Sequence, residues 1–390
     1  MPVHTGLASP PAQVQNGRAL STEPESRPDP IARGAIAALL LALGLGGGLL
    51  ARLPGLPMPF LVGGLTATGV FTVLAFNLAG RRVVFPQQLR KLFVACIGVM
   101  IGASFSRDMV SVLPSLWLVF VAMLVFVALT QTLGYALFRR VGGYDPVTAL
   151  FAAMPGGLIE AVELGGAAGG DVRILSVQHF ARIVIVVLTI PFLFLIWTGE
   201  SVGSAAGQGF GPGVWGAGDL ALIAALALAG LYLGPRLRLP AGHMMGPLLL
   251  SAAVHGGGLT ETVSPRWLLD LSQLVVGVGL GTMFTGVTLR LILRTFALGL
   301  LSVAVMLSIG AGFAAALHRL TPLSFEALFI SFAPGGVTEM GLVALSLGVN
   351  PVMVSANHLF RITLTVFVVN YACRALGFAT RAPRQGGADR

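Results

Sequence analysis

The chain has 390 residues, of which 55% are hydrophobic and only 10% charged, with a net charge of +9 and a mean hydropathy of +0.88. Ordinary soluble proteins carry roughly a quarter charged residues, so this composition excludes a soluble globular protein and describes a polytopic membrane protein. The positive balance does not point to nucleic acid, because the basic residues stand singly or in pairs at the ends of apolar runs, where orienting charges stand.

Residues 1–30 are rich in Pro, Ser and Glu and lack a basic start followed by an apolar core, so they read as a disordered tail and not as a signal peptide. A bilayer crossing needs about 20 apolar residues. Residues 31–198 supply crossings at 31–50, 60–78, 89–105, 111–138 and 172–197, followed by a Gly-rich linker at 199–218 without Lys or Arg. Residues 219–374 supply a second set at 219–233, 246–253 with its flanks, 268–284, 291–317 and 351–371, before a C-terminal tail at 375–390. The weakest of these is 246–253, interrupted by Pro247 and by the glycines at 256–258. Cys96 and Cys373 both fall inside apolar runs, which excludes a disulfide framework.

The two sets are copies of one another. MPGGLIE at 154–160 reappears as APGGVTE at 333–339, and Ser176, His179 and Arg182 reappear as Ser355, His358 and Arg361, every pair 179 positions apart. Such self-similarity fixes an architecture of two homologous repeats, 31–198 and 219–374. The third crossings match as well: Gly98 and Gly102 correspond to Gly277 and Gly281, a four-residue glycine spacing that lets helix backbones approach closely.

Each copy also holds an apolar segment cut near its middle, at Pro155-Gly156-Gly157 and at Pro334-Gly335-Gly336. Proline removes a helical donor and glycine tolerates non-helical dihedrals, so each segment is a broken crossing helix or a re-entrant hairpin. The basic residues choose between them. If both segments cross, the copies are parallel and 15 basic residues lie inside against 7 outside. If both are hairpins, each copy has five crossings, the second copy is inverted, and the split becomes 18 to 4. The positive-inside rule favours the inverted arrangement, with both termini on the cytoplasmic side of the cell membrane. The predicted fold is therefore an all-α integral membrane protein of two inverted repeats, each of about five transmembrane helices plus a re-entrant segment.

Polar residues retained in both copies inside lipid are functional candidates, because each is costly there. Ser, His and Arg at i, i+3 and i+6 follow one helical stripe, and an amide, Gln178 or Asn357, precedes each histidine. The arginine fork suits carboxylate or phosphate oxygens, and a histidine beside it can orient an anion or carry a proton. Glu160 and Glu339 fall in the first turn after each break, where a helix N-terminus favours a carboxylate. Freed backbone donors at the break could hold an anion. The candidate substrate or ion site is thus Pro155, Gly156, Gly157, Glu160, Ser176, Gln178, His179 and Arg182 with Pro334, Gly335, Gly336, Glu339, Ser355, Asn357, His358 and Arg361. The alternative is structural: Glu160 with Arg182, and Glu339 with Arg361, as buried ion pairs bracing the hairpins.

At the two Pro-Gly-Gly segments and the two His-x-x-Arg helices, notably APGGVTEM at 333–340 and NHLFRI at 357–362, the chain resembles the AbrB-type integral membrane family over roughly residues 31–374. That resemblance implies a membrane protein with an internal duplication and a role attached to gene regulation. The soluble DNA-binding proteins that share the name have nothing in common with this sequence. Copy one departs from the motif, with Ile159 where copy two has Thr338 and Ala161 where it has Met340, which argues against equal roles for the copies.

Inverted copies around interrupted helices are the mark of secondary transporters, so the leading expectation is carriage of a small solute, anionic or proton-coupled, and no enzymatic activity. A membrane sensor or regulator is the alternative. A membrane monooxygenase ranks last, because each copy offers one His and one Glu beside a cation, a poor metal site. No catalytic residue, metal or cofactor is expected. The partners are the lipid bilayer and the small-molecule or ion substrate, with no nucleic acid; a homo-oligomer is compatible.

Overall fold

The computed structural model describes residues 30–79, 83–105, 113–199, 216–239, 241–260, 262 and 264–378. The expected tails at 1–30 and 375–390 and the linker at 199–218 lie outside these residues except at their edges. Fourteen α-helices follow one another among the described residues: α1 (Pro30–Arg52), α2 (Pro59–Ala79), α3 (Gln87–Ala103), α4 (Leu113–Arg140), α5 (Pro146–Ala152), α6 (Leu158–Ala167), α7 (Val172–Thr198), α8 (Ala217–Arg236), α9 (Gly242–Gly256), α10 (Arg266–Gly281), α11 (Leu289–Leu320), α12 (Phe325–Phe332), α13 (Val337–Leu347) and α14 (Pro351–Ala375). A 3-10 turn at Thr282–Phe284 extends α10.

Eight of these helices (α1, α2, α4, α7, α8, α10, α11 and α14) are long and apolar enough to cross a bilayer. The ten crossings read from the sequence all become helices, but α3 has 17 residues and α9 only 15. At a rise of about 1.5 Å per residue they span roughly 25 Å and 22 Å, short of the ~30 Å hydrocarbon core. The cause is local. The backbone of Ala241 is left-handed just ahead of α9, and Gly258, also left-handed, follows its end. The first turn of α3 carries Gln87, Arg90 and Lys91.

Helix starts in the two halves correspond. Gln87 and Arg266, Pro146 and Phe325, Leu158 and Val337, and Val172 and Pro351 open α3/α10, α5/α12, α6/α13 and α7/α14, each pair 179 positions apart. The caps correspond in chemistry even where the residue differs. Asp145 accepts from Thr148 N at 2.9 Å, and Ser324 accepts from Ala327 N at 3.3 Å. Asp171 accepts from Arg173 N and Ile174 N, and Asn350 accepts from Met353 N at 2.9 Å. All four are side chains that satisfy the free amides of a first helical turn.

Packing is reciprocal between the halves. α1 lies on α2 as α8 lies on α9; α3 packs on α9 as α10 packs on α2; α4 meets α14 as α11 meets α7. Glycines set the closest of these contacts. A Cβ at Gly98 would stand 2.5 Å from Met244 O, one at Gly277 would stand 2.6 Å from Leu61 O, and one at Gly281 would stand 2.8 Å from Leu65 O. The four-residue glycine spacing thus seats α3 against the backbone of α9 and α10 against that of α2. The largest buried cluster runs through both halves, from Leu61 of α2 and Ile101 of α3 to Val343 of α13 and Val354 of α14.

Neither broken segment is a continuous helix. α5 ends at Ala152 and α6 starts at Leu158; α12 ends at Phe332 and α13 starts at Val337. The two parts of the first segment touch one another. Asp171 N, just past α6, donates to Thr148 Oγ1 in the first turn of α5 at 2.8 Å, and Gly165 of α6 lies against Phe151 of α5. The two breaks differ in backbone. Gly157 takes a left-handed conformation (φ 72°), whereas Gly336 is extended (φ −77°, ψ 157°). Only at Gly157 does the turn itself demand glycine.

Candidate functional site

The Pro-Gly-Gly breaks leave backbone carbonyls at the ends of α5 and α12 without helical partners, and the buried stripes of α7 and α14 meet them. His179 Nε2 donates to Phe151 O at 2.8 Å, and Arg182 Nη1 donates to Met154 O. On the other side His358 Nε2 donates to Ile330 O at 2.9 Å, and Arg361 gives Nη1 to Ala333 O and Ser331 O and Nη2 to Gly335 O at 2.9 Å. Arg361 Nη2 also reaches His358 Nδ1 at 2.8 Å, which fixes that imidazole with its proton on Nε2. A guanidinium at the C-terminal end of a half-helix also faces the negative end of its dipole. The amides follow the same logic. Asn357 Nδ2 donates to Ser331 Oγ at 3.0 Å, and Gln178 Oε1 accepts from Tyr144 OH at 3.0 Å.

These side chains are deeply buried: Arg361, His358, His179 and Asn357 are all 0% exposed. Their burial leaves polar atoms without a hydrogen-bond partner among the described residues, namely Arg182 Nε, Arg361 Nε, His179 Nδ1, Asn357 Oδ1 and Ser355 Oγ. Native structures keep few such atoms; five belong to the repeated stripes. Ser176 differs from its counterpart, since its hydroxyl donates to Val172 O of its own helix at 2.7 Å.

The arginines therefore clasp backbone and not glutamate. The structural ion pairs Glu160–Arg182 and Glu339–Arg361 do not form. Glu339 instead has Arg90 Nη2 of α3 at 3.9 Å from its Oε1. Both glutamates fold back over their own helix starts. A Cβ at Gly157 would lie 2.8 Å from Glu160 Oε2, and one at Gly336 would collide with Glu339 Oε2. Arg361 sits between the two breaks: it holds Gly335 O, while Gly156 faces its Nε and the Ile362 side chain.

A cavity of about 280 Å³ opens where the breaks meet. Its wall contains Gly157, Glu160 and Arg182 from the first half and Gly335, Gly336 and Glu339 from the second, with Arg90 and Thr338. The remainder is apolar, including Leu158, Ile183, Leu280, Met283 and Ile362. Pro155, Gly156, Pro334, Ser176, Gln178, His179, Ser355, Asn357, His358 and Arg361 are not among its lining residues. A second cavity of about 270 Å³ adjoins the first, sharing Arg90, Ile159, Ala241 and Thr338, and is also lined by Gln87, Lys91 and His243. Both lie beside the first turns of α3 and α9. Among the described residues no group of three His, Cys, Asp or Glu side chains is placed to hold a metal ion.

Arg90 is the site residue that sequence reasoning missed. Its counterpart in the second half is Leu269, so a search for charges kept in both copies passes over it, and it reads as one more orienting charge at a helix end.

A family profile described as "Transition state regulatory protein AbrB" matches residues 69–377. The chain is 26% identical over 298 residues to the Escherichia coli (strain K12) protein named "Putative regulator AbrB", covering 75% of this chain and 84% of that one. It is 28% identical over 358 residues to "Uncharacterized protein YhjN" of Bacillus subtilis (strain 168), covering 84% and 89% of the two chains. The profile takes in both Pro-Gly-Gly breaks and both His-x-x-Arg helices over well more than half of the chain, and the chain therefore belongs to the AbrB family of integral membrane proteins.

Proposed function

We propose that this chain is a secondary transporter of a small monoanionic solute, built from two inverted repeats whose broken segments are re-entrant hairpins. The observation that carries the reading is the cavity shared by both Pro-Gly-Gly breaks, one from each half. Reciprocal packing of α3 on α9 and α10 on α2, and the contact between Thr148 and Asp171 across the first hairpin, support the repeat and the hairpin. Irregular backbone at membrane depth is tolerated where it lines a cavity, and such breaks mark the substrate site in transporters of this plan.

Charge and size give the solute class. Arg90 and Arg182 line the cavity with Glu160 and Glu339, and Arg361, fully buried against Gly335 O of the same break, leaves the site and its surround with one positive charge in excess, costly in a low dielectric. One anionic group neutralises it. The cavity lies at the lower end of the ~300–1,000 Å³ usual for ligand sites, and its wall is mostly apolar. A short-chain carboxylate or sulfonate with an apolar body fits both facts. The histidines donate through Nε2 to the carbonyls of the breaks and take no part in proton coupling in this reading.

Purified protein should be stabilised against heat by isovalerate and not by the isosteric isovaleramide or by isoamylamine. Stabilisation by the amine or the amide alone would defeat the anion reading. The names of the family and of the E. coli relative favour a second function, a membrane sensor that binds the solute without carrying it. Uptake of isovalerate or methanesulfonate into liposomes, measured against protein-free liposomes, separates the two.

Topology has its own test. Cysteines at Val141 and Val172, both exposed, flank the first broken segment and should react with an impermeant thiol reagent from one side of the membrane. A cysteine at Leu259, just past α9 and 80% exposed, should react from the other. The background is one with Cys96 and Cys373 replaced by serine. Labelling of Val141 and Val172 positions from opposite sides would show that the segment crosses.

A further inference from the structure

We propose that Arg90 grips the anionic group of the solute and that Glu339 is its internal competitor. This rests on the transporter reading and assigns the ligand-binding cation within it. Of the three arginines at the site, Arg361 is committed to the carbonyls of Ser331, Ala333 and Gly335 and to His358, and Arg182 is committed to Met154 O. The Arg90 guanidinium holds no backbone carbonyl among the described residues. It touches the thioether of Met283, with Nη1 to Sδ at 3.9 Å, and the Glu339 carboxylate, at 3.9 Å. Its planar fork is thus the one left to take a carboxylate or sulfonate in bidentate fashion.

Position agrees with this role. Arg90 lies on the seam between the two cavities and is shared by both walls, so an anion entering past Lys91 and His243 meets it first. Its side chain is 24% exposed, whereas that of Glu339 is 6% exposed. Glu339 projects from the start of α13, directly after the second break, and its carboxylate lies loosely against Arg90. A solute anion and this carboxylate carry the same charge and the same oxygen pair, so they compete for one fork. When the solute takes Arg90, Glu339 stays over the amides of its own helix start beside Gly336, where the helix favours a negative charge. The second hairpin then loses its ionic link to α3, so solute binding at Arg90 and freedom of that hairpin are linked.

The copy-specific position of Arg90 explains why the two halves are unequal. The first hairpin's glutamate, Glu160, lines the same cavity without a basic partner within ion-pair distance among the described residues.

The test is isothermal titration of isovalerate into detergent-purified protein. Arg90→Gln should lose binding by at least tenfold, and Arg90→Lys, which keeps the charge but not the fork, should lose about half that effect on a logarithmic scale. Both should melt near the wild-type temperature, since Arg90 supports no backbone group. Glu339→Gln should bind several-fold more tightly, because the competitor is gone. Unchanged binding by Arg90→Gln, or weaker binding by Glu339→Gln, overturns the proposal while leaving the anion site standing. If Arg90→Gln is not recovered folded, Arg90→Lys decides alone, and wild-type affinity in it has the same consequence. A wild-type protein that binds neither isovalerate nor methanesulfonate overturns the anion-transporter reading and this assignment with it.

Discussion

Replacing Arg361 by methionine will cost this protein most of its stability, and removing the charge of Glu339 at the same time will not restore it. The guanidinium is fully buried and is the donor for Ala333 O, Gly335 O, Ser331 O and His358 Nδ1. Each buried acceptor left without a donor costs about 1–3 kcal/mol; Ala333 O keeps the Gly335 amide at 2.9 Å, but the other three together approach the ~5–15 kcal/mol that holds a typical domain folded. Glu339 does not pair with Arg361, so no compensating relief comes from neutralising it. Thermal melting and size-exclusion profiles in detergent should show both Arg361→Met and the double variant with Glu339→Gln as unstable or aggregated. A double variant that melts like the wild type would mean that Arg361 serves to balance Glu339 after all. Arg361→Lys should fall between, because an ammonium group reaches only part of the acceptor set.

Gly281→Leu should be nearly as damaging, for a different reason. The added side chain meets backbone as well as a tethered side chain: a Cβ there would lie 2.7 Å from Gly69 N and 2.8 Å from Leu65 O and would overlap Thr68 Oγ1, which is hydrogen-bonded to Gly64 O. Carbonyls and amides inside α2 cannot step aside, so α10 must move off it, a strain of about 1–3 kcal/mol or more by overpacking alone. Leu280, next to it, is part of the cavity wall, so ligand binding should fail together with stability. Gly312→Leu in α11 is the matched control, since nothing lies within 4 Å of a Cβ there. Equal melting temperatures for the two variants would remove close backbone approach as the reason for the glycine spacing.

The all-helical fold was legible in the sequence because apolar runs of about 20 residues have few other uses. So were the breaks, since Pro-Gly-Gly disrupts a helix by covalent geometry. Two things were not legible. The lengths of α3 and α9 depend on where their first turns begin, which a hydropathy window blurs. The partners of the arginines depend on the geometry of the breaks: a carbonyl freed by a helix end has no signature in the sequence, whereas a glutamate has one and draws the eye as the obvious counter-charge. The same bias hid Arg90, and it passes over Asp171 and Asn350, which stand 179 positions apart and cap a helix start in the same way. Matching letters finds residues whose identity is fixed; it misses those whose job can be done by a relative.

The pairing of α3 with α9 and of α10 with α2 also dictates an order of events during synthesis. α3 leaves the ribosome early, too short to hold itself across the bilayer and carrying Arg90 and Lys91 in its first turn. The helix that covers it, α9, is made only after α4 to α8 have emerged, and α9 is shorter still. α9 finds both of its main partners, α8 and α3, already made, whereas α3 lacks its main covering helix until α9 arrives. Membrane insertion of the long helices and completion of the fold are therefore separate steps, and the interval between them exposes an unfinished first half.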